Sequence, residues 1–112
     1  MTIMCPPPPA QEYRLSFRIR KIYYDAIAAG TKPNEIRRCC DFWDKRVRKA
    51  DLVLLSGGTV TAVLVCGKDR MDLPIKRITM HKDAVEALGR QPSEQGARDL
   101  GTGPVWAFWF NG

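Results

Sequence analysis

The sequence predicts an α+β domain, a small β-barrel with two or three short helices. Three observations lead there. The order along the chain is strand, helix, several strands, helix, strand. Helices this few cannot cover both faces of a parallel sheet, which argues for an α+β arrangement. Glycines punctuate the connections, as expected where a small sheet turns its corners. At 112 residues the chain is one domain, long enough to bury roughly two-thirds of its unfolded surface without disulfides or metal.

Each element has a local reason. Pro6 to Pro9 favour an extended polyproline segment, so residues 1–11 are expected to form a disordered tail and residues 12–112 the folded domain. Tyr13, Leu15, Phe17 and Ile19 alternate with Arg14, Ser16, Arg18 and Arg20, the period of a half-buried strand. From Lys21 to Ala29 the spacing of Ile22, Tyr23, Ala26 and Ile27 predicts a helix. Gly30 ends it in a left-handed conformation that only glycine adopts without steric cost. Pro33 prevents the helix from resuming, and a short strand follows near Glu35–Cys40. Residues 41–49 carry Phe42, Trp43 and Val47 among basic residues and read as a short helix or an irregular loop. Leu52–Leu55 and Thr59–Cys66 are apolar runs split by Ser56-Gly57-Gly58, which predicts two strands joined by a tight hairpin. Leu73–Ile78 predicts a further strand, with Pro74 near its start. Thr79 is the expected cap of a second helix over Lys82–Leu88, ended by Gly89. Arg90 to Pro104 reads as a loop or a single helical turn, and Val105–Phe110 as an apolar closing strand.

The net charge of +6 is unevenly distributed. Arg14 to Lys49 hold eleven Lys/Arg against four Asp/Glu, and the rest of the chain seven against eight. A solvated face is one reading of that excess. An anionic partner, most commonly nucleic acid, is the other, and the asymmetry favours it. No apolar run approaches the roughly 20 residues that span a bilayer, and MTIMCPPPP has neither the basic nor the apolar region of a secretory signal. The expectation is a cytoplasmic protein with no membrane contact and no cofactor, its oligomeric state open with a monomer favoured. Cys5, Cys39, Cys40 and Cys66 form no C-x-x-C pair and His81 is the single histidine, so no metal site is expected. Cys39 and Cys66 read as small core residues of a reduced protein. His81, near an expected helix start, reads as a surface or capping residue before a catalytic one.

The segment Gly30–Arg37 is the most informative. It places Lys32, Glu35 and Arg37 within six positions at a helix-to-strand junction. Two readings stand: an ion-pair network that fixes the turn, or a ligand pocket. In the second, Lys32 and Arg37 receive a phosphate or a base edge while Glu35 orients them or acts as a base. A lysine beside a second cation is itself a candidate general base. Strand alternation puts Glu35 and Arg37 on the same face. Gly30, Thr31 and Trp43 complete the candidate ligand-binding set, with Lys32 and Glu35 as its catalytic members if the protein is an enzyme. Phe42 and Trp43 suit base stacking, or equally an aromatic lid on the core. Trp106, Phe108 and Phe110 share one face of the last strand, and Trp109 falls on the other as the exposed candidate. Arg14, Arg18 and Arg20, on the outward face of the first strand, are candidate contacts to backbone phosphates. So are Arg38, Lys45, Arg46 and Arg48, and Lys76 with Arg77 is a candidate extension of that surface.

Strand, helix and then Gly30, Lys32, Glu35 and Arg37 in the pattern G-x-K-x-x-E-x-R resemble the signature of the ASCH domain, a PUA-like β-barrel family. Lys49-Ala50-Asp51 followed by Leu52–Leu55 is similar to the family's Gly-Asp-plus-strand element, with alanine in place of glycine. Leu100-Gly101 and Val105–Phe108 resemble its final barrel strand, so the resemblance spans Tyr13 to Phe110. It implies a cleft beside a barrel, lined by the signature's charged residues, and an association with RNA or modified nucleosides. Some members of the family are small amidohydrolases acting on acetylated cytidine, and others are described as ribonucleases. The amidohydrolases keep a lysine that matches Lys32 but place a threonine nucleophile where this chain has Glu35. Thr31 is not an equivalent, so that activity does not carry over. The expected function is binding of RNA or a nucleotide-like anionic ligand in a Lys/Glu/Arg-lined cleft. One alternative is a hydrolase of the same fold, acting on a modified nucleoside or on RNA. Another is a non-catalytic module whose proline-rich tail or aromatic surface meets a protein partner.

Overall fold

The computed structural model describes residues 11–111, so the expected proline-rich tail lies, apart from Gln11, outside the described residues. The elements in order are β1 (Glu12–Arg18), α1 (Lys21–Ala28), β2 (Asn34–Arg38), α2 (Asp41–Leu55) and β3 (Thr59–Cys66). They continue with β4 (Asp69–Pro74), β5 (Arg77–His81), α3 (Ala84–Leu88), α4 (Glu94–Leu100) and β6 (Val105–Trp109). The strands form two three-stranded sheets, ordered β1-β3-β4 and β2-β6-β5. The class is therefore α+β. Among the described residues there are four helices, not two or three, and the six strands form no closed barrel.

β1 lies parallel to β3, with Leu15 opposite Ala62 and Phe17 opposite Leu64. Parallel strands need a long crossover, and α1, β2 and α2 supply it. β3 returns through Gly67, at φ 60, into antiparallel β4. In the second sheet β6 is central and antiparallel to both neighbours. The alternation of β1 is realised: Leu15 and Phe17 are buried while Arg14, Ser16 and Arg18 are exposed. Phe17 stacks on Trp43 of α2 at 4.9 Å between ring centroids and meets Phe108 of β6 edge-on at 5.0 Å. These three rings join both sheets and the longest helix in one core.

The strand expected at Leu52–Leu55 is instead the end of α2, a single helix from Asp41 to Leu55. Trp43, Val47, Ala50 and Val53 recur at helical spacing and are all buried, whereas Leu52 and Leu55 face outward. A four-residue apolar run does not by itself separate a strand from a helix. Ser56-Gly57-Gly58 is accordingly the exit of that helix and not a hairpin, with Gly57 at φ 82. Lys49-Ala50-Asp51 lies within the helix instead of before a strand. The strand expected over Leu73–Ile78 is two strands: β4 ends at Pro74, the Ile75 amide still donates to Val60 O at 2.8 Å, and the Lys76 amide then donates to Trp109 O at 2.7 Å, carrying the chain into the second sheet. Thr79 sits in β5 and caps nothing. Asp83 caps α3 by accepting from the Glu86 amide at 2.9 Å, and Gly89, at φ 71, ends it as expected. Residues 90–104 hold α4, a two-turn helix whose cap is Ser93, bonded to the Gly96 amide at 3.1 Å. Cys39 and Cys66 are half-buried, not core. Among the described residues no helix is long and apolar enough to cross a membrane.

Candidate functional site

The exit of α1 fixes the start of β2. The amides of Thr31 and Lys32 donate to the Ala26 carbonyl at 3.0 and 3.2 Å, and Thr31 Oγ1 joins them at 3.1 Å. Gly30 makes this double return possible by taking φ 80. Lys32 is thereby held against the edge of the strand that follows.

β2 is an edge strand. Phe110 N donates to Pro33 O and Cys39 N to Pro104 O, each at 3.0 Å. Antiparallel alternation then turns the backbone groups of Glu35 and Arg37 toward β6 and those of Asn34, Ile36 and Arg38 outward. Two side chains close that free edge. The Lys32 ammonium donates to the Asn34 carbonyl, and Glu35 Oε1 accepts from the Ile36 amide at 3.1 Å. Glu35 is only 5% exposed, and its carboxylate is shared between two cations. Oε1 lies 3.5 Å from Lys32 Nζ and Oε2 lies 3.1 Å from Arg37 Nη2. Arg37 Nη2 also donates to the Arg18 carbonyl at 2.7 Å, and its guanidinium lies over the Phe17 and Trp43 rings at 5.4 and 5.5 Å. Glu35 and Arg37 share a face as expected, and the cluster keeps one uncompensated positive charge. The ion-pair network exists, and an open groove lies beside it.

That groove has a cavity volume of about 2130 Å³ and runs along the free edge of β2 between α1 and the α3–α4 segment. Its lining holds seven Lys/Arg against Glu35, Glu94 and Asp99. Arg20 reaches Asp99 with two bonds, Nε to Oδ2 at 3.0 Å and Nη2 to Oδ1 at 3.1 Å, and Arg98 pairs with Glu94 at 2.6 Å. Arg18, Arg38 and Arg90 line the groove with no carboxylate partner among the described residues. Burial pushes the Lys32 ammonium below the ordinary lysine value of 10.5, against the pull of Glu35 and helped by the nearby charge of Arg37. The Arg20 guanidinium holds the Asp99 carboxyl below its usual range. Burial, with the nearby Asp44 charge, pushes the Cys39 thiol up from its ordinary value.

Thr31, Lys32, Glu35, Arg37 and Trp43 all line the groove, and Gly30 does not. Trp43 is 9% exposed and stacked on Phe17, so it is a lid on the core with one edge at the groove. Phe42 is 53% exposed, but the Arg46 guanidinium covers its ring at 3.4 Å from the centroid. Of the basic candidates, Arg18 and Arg38 line the groove, whereas Lys45, Arg46 and Arg48 sit on α2 outside it. Arg14 is engaged by Asp72 at 2.6 Å and Glu12 at 3.4 Å. Lys76 precedes β5 and Arg77 opens it, in the other sheet from β1, and Arg77 covers the Trp109 ring at 4.5 Å. Trp109 is half-buried, its Nε1 donating to Thr79 Oγ1 at 2.8 Å. Thr79 Oγ1 is in turn 2.8 Å from His81 Nε2, and His81 Nδ1 is 3.4 Å from Glu86 Oε1. This chain of contacts ties α3 to the second sheet, and of its members Trp109 lines the groove while Thr79, His81 and Glu86 do not. Among the described residues no three His, Cys, Asp or Glu gather to hold a metal ion.

The sequence reading missed Asn34, Arg90 and Asp99. The last two stand in a segment read as loop, although Ser93-Glu94 is a helix start with an acidic first turn. Asn34 carried no signal beyond its place before Glu35. Comparison with protein-family models, with curated proteins and with solved structures yields no match.

Proposed function

We propose that the chain binds RNA or a nucleotide-like anionic ligand in the groove along β2, as a domain of the ASCH type. In this reading the two sheets are the halves of an open PUA-like barrel, and the G-x-K-x-x-E-x-R residues stand at the mouth between them. One observation carries the proposal. Three exposed arginines, Arg18, Arg38 and Arg90, line the groove without a carboxylate partner among the described residues. They surround a Lys32–Glu35–Arg37 cluster whose own charge is positive. Arg37 spends only Nη2 on protein acceptors among the described residues, leaving Nε and Nη1 for a ligand. Arginine forks of this kind match phosphate oxygens and base edges.

The test is binding of single-stranded RNA across a salt series, with the wild type and with Arg18, Arg38 and Arg90 replaced by alanine. The expected wild-type affinity falls with salt by about 0.7 decades per decade for each phosphate held. The triple variant is expected to lose most of both the affinity and the slope. Affinity indifferent to salt, or unchanged in the triple variant, removes the proposal.

A second reading, hydrolysis in the same groove, is favoured by the lowered pKa of Lys32 beside an acid. Turnover of acetylated cytidine or mixed RNA that vanishes in both Lys32→Ala and Glu35→Ala supports it. Turnover that survives both variants counts against it.

A further inference from the structure

The groove leaves unused a run of basic residues on α2: Lys45, Arg46, Arg48 and Lys49. Lys45, Arg48 and Lys49 are exposed, on the side away from the buried Trp43, Val47 and Ala50. None of the four has a carboxylate partner among the described residues. The other helices with exposed cations pair them one turn away, Lys21 with Asp25 at 3.4 Å on α1 and Arg98 with Glu94 at 2.6 Å on α4. On α2 the one-turn neighbours are like charges instead, Lys45 with Arg48 and Lys49, and they oppose the helix that carries them. Its carboxylates stand elsewhere: Asp41 and Asp44 in the first turn, where the helix dipole favours them, and Asp51 beyond the run. Asp44 is also occupied, accepting from Trp106 Nε1 at 2.8 Å. The basic face is continuous with the groove, because Cys40, the N-cap of α2, and Trp43 both line it. Between Cys40 and Lys49 along the helix, the Arg46 guanidinium rests on the exposed Phe42 ring at 3.4 Å and donates to the Phe42 carbonyl at 2.9 Å. Lys49 lies over the Tyr13 ring at 4.8 Å. Positive charge interleaved with aromatic rings is the surface along which single strands are tracked.

We infer that a single-stranded RNA leaves the groove past the N-terminus of α2 and continues along this helix. Its phosphates lie on Lys45, Arg48 and Lys49, and a base lies against the Arg46–Phe42 stack. This rests on the RNA reading above and deepens it: the ligand is a strand of several nucleotides, not a mononucleotide. The charge fits that occupant. A nucleotide held by Arg18, Arg38 and Arg90 has nothing to offer α2, whereas a strand brings one phosphate with each further nucleotide and relieves the repulsion among the α2 cations as it binds. At about 1.5 Å of rise per residue, Lys45 and Lys49 stand about 6 Å apart along the helix, far enough to take separate phosphates. The run ends at Leu52 and Leu55, exposed apolar side chains that offer a phosphate nothing, so the added footprint is short.

The experiment is fluorescence-anisotropy titration of the full chain with oligouridylates of about three and about nine nucleotides. The wild type is compared with a variant combining Lys45→Ala, Arg48→Ala and Lys49→Ala. The wild type is expected to hold the longer strand about a hundredfold more tightly than the shorter. The variant is expected to hold the short strand as the wild type does. For the long one it keeps only the severalfold advantage that extra binding registers give. Its salt slope for the long strand is expected to fall by about 2, at about 0.7 for each of three phosphates released. The three side chains are exposed and alanine is the best helix former, so the variant's melting temperature is expected to equal or exceed that of the wild type. A length advantage equal in the two proteins overturns the inference, as does a variant that loses both strands alike. Short-strand binding that depends on Arg18, Arg38 and Arg90 then leaves the groove reading intact. A wild type that holds neither strand takes down both. Vesicles of phosphatidylserine and phosphatidylcholine test the other anionic surface that Leu52 and Leu55 could meet. Capture of the wild type that the variant loses, with RNA binding unaltered, assigns the face to a membrane surface and overturns the inference.

Discussion

Lys32 and Glu35 close the free edge of β2 with opposite polarity, the ammonium on the Asn34 carbonyl and the carboxylate on the Ile36 amide. The pair therefore has a structural role whatever the groove binds. An open strand edge is a template for pairing with another chain, and charged side chains laid along it prevent that. Glu35→Ala leaves the Ile36 amide bare and two cations without their carboxylate. It is expected to cost about 3 kcal/mol in urea denaturation. Glu35→Gln keeps an acceptor for the amide and is expected to cost less. Light scattering is expected to show concentration-dependent association for the alanine variant alone. A Glu35→Ala protein as stable and as monodisperse as the wild type refutes the edge-closing role.

The Lys32 ammonium is expected to titrate below the ordinary 10.5, with burial as the main cause. Glu35 opposes that lowering, so Glu35→Gln is expected to drive it further down. Arg37 adds to it, so Arg37→Ala is expected to relax it. The stability consequence has a definite sign. Between the lowered folded value and 10.5 the unfolded chain binds more protons than the folded one, so stability from this group rises with pH across that window. It is lost as pH falls through the folded value. Nitrogen-15 NMR of the lysine side chains across the alkaline range measures the titration directly. A Lys32 resonance titrating at or above 10.5 contradicts the assignment.

How far the sequence reached follows from which signals were local. The period of β1, the glycine stop of α1 and the shared face of Glu35 and Arg37 are dictated within a few residues, and each is present. The Leu52–Leu55 strand failed because a short apolar run is ambiguous, while the Trp43, Val47, Ala50, Val53 series that decides it begins nine positions earlier. Trp43 itself could not be assigned from sequence, since only the Phe17 stack across the crossover makes it core. The groove wall from Arg90 to Asp99 was invisible for a related reason. Its approach to β2 is a tertiary fact, fixed by Arg20 on Asp99 and not by any local pattern.

Gly30 and Gly58 are required for different reasons, and alanine separates them. At Gly30 a Cβ meets nothing within 4 Å, but φ 80 disfavours it. Gly30→Ala is therefore expected to cost about 1 kcal/mol, a purely conformational loss. At Gly58 a Cβ would lie 2.5 Å from Gln11 O and 2.6 Å from Val53 Cγ1. Gly58→Ala is expected to cost about 3 kcal/mol through a forced shift of β1 against α2. Equilibrium unfolding ranks the two, and the reverse order is inconsistent with these geometries.

The bond from Arg20 to Asp99 is the charged contact between α4 and the start of α1, beside the 3.5 Å contact of the Tyr23 hydroxyl with Ser93. Both side chains are exposed, so the pair contributes little to global stability, and Asp99→Asn is expected to leave Tm within about 2 °C. Its effect is local. Without the carboxylate, α4 keeps its Ser93 cap and the 3.5 Å contact of Ser93 Oγ with the Tyr23 hydroxyl but loses its charged tie to α1, and its amides are expected to exchange with solvent faster than in the wild type. Because Arg20 holds the Asp99 carboxyl below 3.8, the tie is complete above that value and lost only as pH falls through the lowered one. Hydrogen exchange in the wild type is therefore expected to report an unchanged α4 between pH 5 and 9, once corrected for intrinsic rates. High salt screens the pair and is expected to reproduce the Asp99→Asn pattern. Protection of α4 that is indifferent to both salt and the substitution means that packing alone holds it over the groove.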